Sequence, residues 1–84
     1  MQTQNFTQET VFTGIKGVVV AQTGIDSALP AETHIEEDLG MDSLERVDLV
    51  IRLEREFGIS LDTQDVQRCE SLQDLTNLIL KQLQ

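Results

Sequence analysis

The stretch from Ser43 to Phe57 most constrains what this chain can become. Leu49, Val50, Leu53 and Phe57 recur at helical spacing and make one apolar stripe, and Gly58 follows as a stop. Asp42 stands where a helix cap belongs, and Glu45 lies three residues on, where the reciprocal partner of a capping box sits. In a chain of 84 residues, a helix of this kind buries its stripe against other helices of the same small core, because no segment alternates as a half-buried strand does.

Three further helical segments supply that partner surface. The first runs from about Thr7 to Gln22, with Val11, Ile15, Val18 and Val19 at helical spacing and Gly24 placed to close it. Gly14, Gly17 and three consecutive valines lower its intrinsic helicity, so packing must hold it. A short helix is expected from about Thr63 to Arg68 after Asp62. The last begins at Ser71-Leu72-Gln73-Asp74, a capping-box pattern, and carries Leu72, Leu75, Leu78, Ile79 and Leu83 on its buried face. A long loop, Gly24 to Met41, holds Pro30 and an acidic cluster, and its Ile25, Leu29, Ile35 and Leu39 are expected to anchor it inward. The expected architecture is all-α: a small antiparallel four-helix bundle of three longer helices and one short, with a long first loop. It forms one domain over 1–84, with 1–6 as a disordered tail.

Charge narrows the partners. Six Lys and Arg face fifteen Asp and Glu, for a net charge of -9 and a pI near 4.2. That balance argues against nucleic acid and against an anionic membrane surface, and it favours partners with a basic patch. The longest apolar run, Val18 to Ala21, is too short to cross a bilayer, and the N-terminus has neither signal nor transit character. A lone cysteine excludes an internal disulfide and fits a reducing cytoplasm.

Enzyme constellations are mostly absent. Cys69 and His34 are each single, and they read more simply as a small half-buried residue and a solvated loop residue than as a catalytic pair. The acids from Glu36 to Asp42 lack the central glycine and distal glutamate of a calcium loop. Gly40 lies three residues before Ser43 and no glycine follows at two, so this is no nucleophile elbow. Ser43 falls in the first turn of the helix it begins, where open N–H groups and the positive end of the dipole favour a nearby anion.

The segment Ile35 to Leu44 closely resembles the acyl carrier protein family. It has a Leu-Gly pair, Leu39-Gly40, then Asp42-Ser43-Leu44 at the start of the second helix, then an amphipathic run Val47-Asp48-Leu49-Val50. The resemblance covers nearly the whole chain in order, through Leu53-Glu54-Arg55-Glu56-Phe57-Gly58 and a leucine-rich last helix. It implies 4'-phosphopantetheine, derived from coenzyme A and attached at Ser43, with acyl groups carried as thioesters on its thiol and no active site in the chain itself. Implied partners are a phosphopantetheinyl transferase and the acyl-transferring, condensing and modifying enzymes of fatty acid, polyketide or related biosynthesis, met by a cytoplasmic monomer. Asp42, Leu44, Glu45, Asp48 and Ile51 become candidates for partner recognition, and Val47, Val50 and Leu53 for the wall of an acyl pocket. Met41 also flanks the serine.

Arg46, Arg52 and Arg55 depart from the nearly uniform acidity of this helix in fatty acid synthesis carriers. They read either as intrahelical pairs, Asp42 with Arg46, Asp48 with Arg52 and Arg52 with Glu56, or as a changed partner set. An aminoacyl or peptidyl carrier, an acidic interaction module with no prosthetic group, and a minimal thiol enzyme are the competing readings.

Overall fold

The computed structural model describes residues 6–25 and 28–83. Four helices follow in order: α1 Gln8–Thr23, α2 Ser43–Phe57, α3 Thr63–Arg68 and α4 Leu72–Leu83. The expected tail over 1–6 lies outside the described residues except for Phe6.

Each helix begins where a polar side chain can accept a backbone N–H. Thr7 caps α1 and forms a reciprocal box with Thr10. Asp42 caps α2, its Oδ1 accepting from the Glu45 amide at 2.9 Å while Glu45 Oε1 accepts from the Asp42 amide at 3.3 Å. Asp62 accepts from the Gln64 amide to start α3. At α4, Ser71 Oγ accepts from the Asp74 amide and Asp74 Oδ2 accepts from the amides of Ser71 and Glu70. Gly24 and Gly58 close α1 and α2 in the left-handed conformation that only glycine adopts without strain, with φ of 75° and 66°.

The helices pack as a ring, α1 against α4 and α2, and α3 against α2 and α4. The shared core is aliphatic: Val11, Ile15 and Val19 of α1, Leu49 and Leu53 of α2, Val66 of α3, and Leu72, Leu75 and Ile79 of α4 are fully buried. Phe57 and Leu78 pack partly buried against it.

The long loop is built into this core. Leu29, Ile35 and Met41 are buried, and Ile25 and Leu39 are half-buried against it. His34 pairs with Ser71 in an isolated antiparallel bridge, where the Ile35 amide donates to the Glu70 carbonyl at 2.8 Å. Carbonyls of Thr33 and Ala31 accept from the amides of Leu72 and Gln73, so the loop satisfies donors in the first turn of α4 that the helix itself leaves open. His34, expected in solvent, is instead half-buried, and its Nδ1 accepts from the Glu37 amide at 3.1 Å. The cause is the bridge, which pins the residue's backbone beside the α3–α4 connection.

Candidate functional site

The loop delivers the chain to α2 through a tight sequence of turns. Gly40 takes φ of 68°, and the Met41 amide donates to the Ile35 carbonyl, folding the Leu39-Gly40 pair back before α2 begins. Ser43 is therefore the first residue of α2 and is exposed at the bend. Of the amides in this first turn, that of Glu45 is taken by Asp42, while those of Ser43 and Leu44 point out of the helix end without a helical acceptor. An anionic phosphodiester on Ser43 fits such a place, because the open N–H groups and the helix dipole both favour negative charge.

Beyond Ser43, α2 turns one apolar ridge outward. Leu44 is 80% exposed, Val47 42% and Ile51 44%, and with Phe6 they are the large hydrophobic side chains exposed among the described residues. Exposed Asp42, Glu45 and Asp48 flank the ridge. Val47, a candidate for the wall of an acyl pocket, lies outside the closed core. Three residues from Leu44 and four from Ile51, it shares their phase, while Val50 and Leu53 share the inward one and are 5% and 0% exposed. Met41, next to the serine in sequence, is buried at 1% and belongs to the core.

Of the two readings open for Arg46, the structure removes the intrahelical one: it does not pair with Asp42. Its side chain runs inward to 6% exposure, and Nη1 donates to the carbonyls of Gln67 and Cys69 at 3.0 Å each and of Val66 at 3.5 Å. Glu36 meets its other nitrogen at 3.8 Å from the rim. The signal was present in the spacing: Arg46, Leu49, Val50 and Leu53 follow the i, i+3, i+4, i+7 pattern of a buried stripe. The pair of Arg52 with Asp48 forms as expected at 3.2 Å, whereas Arg52 with Glu56 is not an ion pair among the described residues.

Cys69 is free and buried, and its Sγ donates to the Asp65 carbonyl at 3.4 Å. Burial first, and then the carboxylates of Asp74 and Asp65, push its thiol up to about 11, against an opposing pull from Arg46. A thiol held so far from ionisation is a poor nucleophile at neutral pH.

Known proteins resemble this arrangement over most of the chain. The family model for the phosphopantetheine attachment site matches residues 13–79. An acyl carrier protein of Thermotoga maritima is 35% identical over 77 residues, covering 90% of this chain and 95% of the relative, and one of Campylobacter concisus is 40% identical over 72 residues, covering 84% and 94%. A solved structure described as an acyl carrier protein of Mycobacterium tuberculosis superposes with a TM-score of 0.78 at 25% identity, covering 84% of this chain and 96% of that one.

A helical bundle that matches the phosphopantetheine attachment family over residues 13–79 and acyl carrier proteins over most of their length is a carrier rather than an enzyme, a scaffold for a covalently held 4'-phosphopantetheine. The chain belongs to the acyl carrier protein family. Membership implies a phosphopantetheinyl transferase and biosynthetic enzymes as its partners. No helix among the described residues is long and apolar enough to cross a membrane.

Proposed function

We propose that Ser43 bears the phosphopantetheine arm and that the chain, acting as one carrier domain and a monomer in the cytoplasm, shuttles acyl thioesters among the enzymes of fatty acid or related lipid biosynthesis. The observation that carries the reading is the combination at the head of α2: an exposed serine hydroxyl, two unclaimed amides beside it, and an apolar ridge starting one residue later. The arm supplies a terminal thiol for thioester formation. The protein's own residues supply position. Asp42 and Glu45 fix the helix start, the ridge of Leu44, Val47 and Ile51 gives a partner enzyme an apolar footing, and Asp48 with its acidic neighbours orients a basic docking patch. Val50 and Leu53, lying beneath the ridge, are the interior side chains that an acyl chain entering from the arm displaces.

The test is intact-mass measurement after incubation with coenzyme A, magnesium and a promiscuous phosphopantetheinyl transferase. A gain of one phosphopantetheine, abolished by Ser43→Ala with helical content unchanged, is expected. Modification at another residue overturns Ser43 as the attachment point, and none with several transferases leaves the unmodified interaction module as the better reading.

A further inference from the structure

A six-residue helix cannot hold itself, and α3 ends without the left-handed glycine that closes α1 and α2. No glycine follows it: Cys69 closes it in extended conformation with φ of -72° and ψ of 131°. Its terminal carbonyls are instead taken by a guanidinium from another element, at the Gln67, Cys69 and Val66 distances given above. The cation stands at the negative end of the α3 dipole, and its hydrogen bonds are charge-assisted. At 6% exposure Arg46 is also the most deeply buried charged side chain described, and removing its acceptors would leave a bare charge inside the protein. Arg46 and α3 therefore stabilise each other, alongside the burial of Val66 in the shared core.

Arg46 is three residues from Ser43 on α2, and its bonds to the α3 carbonyls join α2 to α3, whose Val66 is buried in the same core as Val50 and Leu53 of α2. Among the four helices α3 is the shortest, so it is the wall that yields at least cost when something must enter. We propose that Arg46 is a latch on the α2–α3 seam and a specificity-determining residue for cargo. Engaged, it holds the seam closed, so that a chain long enough to reach past it must release the guanidinium from the α3 carbonyls, whereas a short acyl group leaves it undisturbed.

The proposal rests on Ser43 as the attachment point, and the experiment separates the two. Arg46→Met keeps the length and apolar stem but removes the donors, and Arg46→Lys keeps the charge with a single ammonium in place of the fork. Amide exchange is read first on the unmodified proteins. The α3 amides and that of Cys69 should exchange about tenfold faster or more in Arg46→Met, the scale of one charge-assisted hydrogen bond, with the α1 and α4 core amides little changed and Arg46→Lys in between. Butyryl and octanoyl forms are then treated with hydroxylamine, which cleaves an exposed thioester. Octanoyl cleavage should be at least about threefold slower in Arg46→Met than in the natural protein, while butyryl cleavage is the same in both. Unchanged α3 exchange, or octanoyl cleavage equal in all three proteins, overturns the latch. If Arg46→Met does not fold, the same two comparisons on Arg46→Lys decide it. Failure of any protein to accept the arm refutes the Ser43 reading instead, and the latch is then judged by exchange alone.

Discussion

The ring of Phe57 lies where a β-carbon on Gly14 would stand, its Cζ 2.8 Å from that position. The glycine lets the aromatic end of α2 close against α1. Gly17, one turn away, has nothing within 4 Å of the same position and an ordinary helical backbone. The two glycines therefore respond oppositely to the same change. Gly17→Ala should raise stability by about 0.5–1 kcal/mol, the helix-propensity difference. Gly14→Ala gains the same propensity but must push the half-buried ring aside, at a cost of about 1–3 kcal/mol, so it should lower stability. Urea unfolding of both variants checks the contrast, and equal shifts would remove the role given to Phe57.

The exposed ridge and its acidic flank should separate by salt. Asp48→Lys reverses a charge that reaches a partner through solvent, so it should slow arm loading or acyl transfer several-fold at low ionic strength and progressively less as salt rises. Screening over about 8 Å at physiological salt is the cause. Leu44→Ala removes apolar contact and should slow the same steps by a factor that salt leaves nearly constant, with little effect on stability because Leu44 is 80% exposed. Rates unchanged in both variants would reduce the surface to a solubilising one.

The buried thiol predicts a pH dependence of known sign. In the folded protein Cys69 keeps its proton to about 11, while the unfolded chain ionises nearer the ordinary value of 9.0. Between those limits the unfolded state has lost a proton that the folded state retains, so stability falls as pH rises from about 9 towards 11, by roughly 2–3 kcal/mol at most from this group. Below about 9 the contribution is complete and constant. Cys69→Ala should flatten that part of the stability profile, as read from chemical denaturation at stepped pH. At neutral pH, Cys69 in the folded protein should react with iodoacetamide far more slowly than a free thiol.

Cargo sheltering should appear in thermal melts. Each methylene withdrawn from water returns about 0.8 kcal/mol before the helices are parted, and a tethered chain loses no further translational freedom on entry. The octanoyl form should therefore melt above the holo form, with the butyryl form between. Methyl signals of Val50 and Leu53 should move with the octanoyl chain while that of exposed Val47 moves less. Identical melts with unmoved signals would point to a polar cargo that stays outside.

Periodicity and punctuation carried most of the fold. The expected limits of α2 and α3 coincide with those observed, and Gly24, Gly58 and the Ser71–Asp74 box end or begin helices where local chemistry placed them. These are short-range relationships, legible because both partners lie within four residues. What was not legible is long-range. Arg46 could be read as the partner of Asp42 at four residues' distance, yet its acceptors are carbonyls twenty or more positions on, and only the inward phase of the helix hinted at it. His34 was misjudged for the same reason, since its neighbour is Ser71. Val47 was a matter of phase near the stripe's edge, where one helical step decides between core and surface.

The pairing of His34 with Ser71 also has a kinetic side. It closes a neck around everything from Ile35 to Glu70, including α2, α3 and Ser43, so its formation must meet the entropy of closing that whole excursion. The Ile35, Leu72 and Gln73 amides, all bonded across this neck, should thus be among the last to gain protection in refolding. They would serve as a clock for the moment the arm-bearing lobe becomes complete.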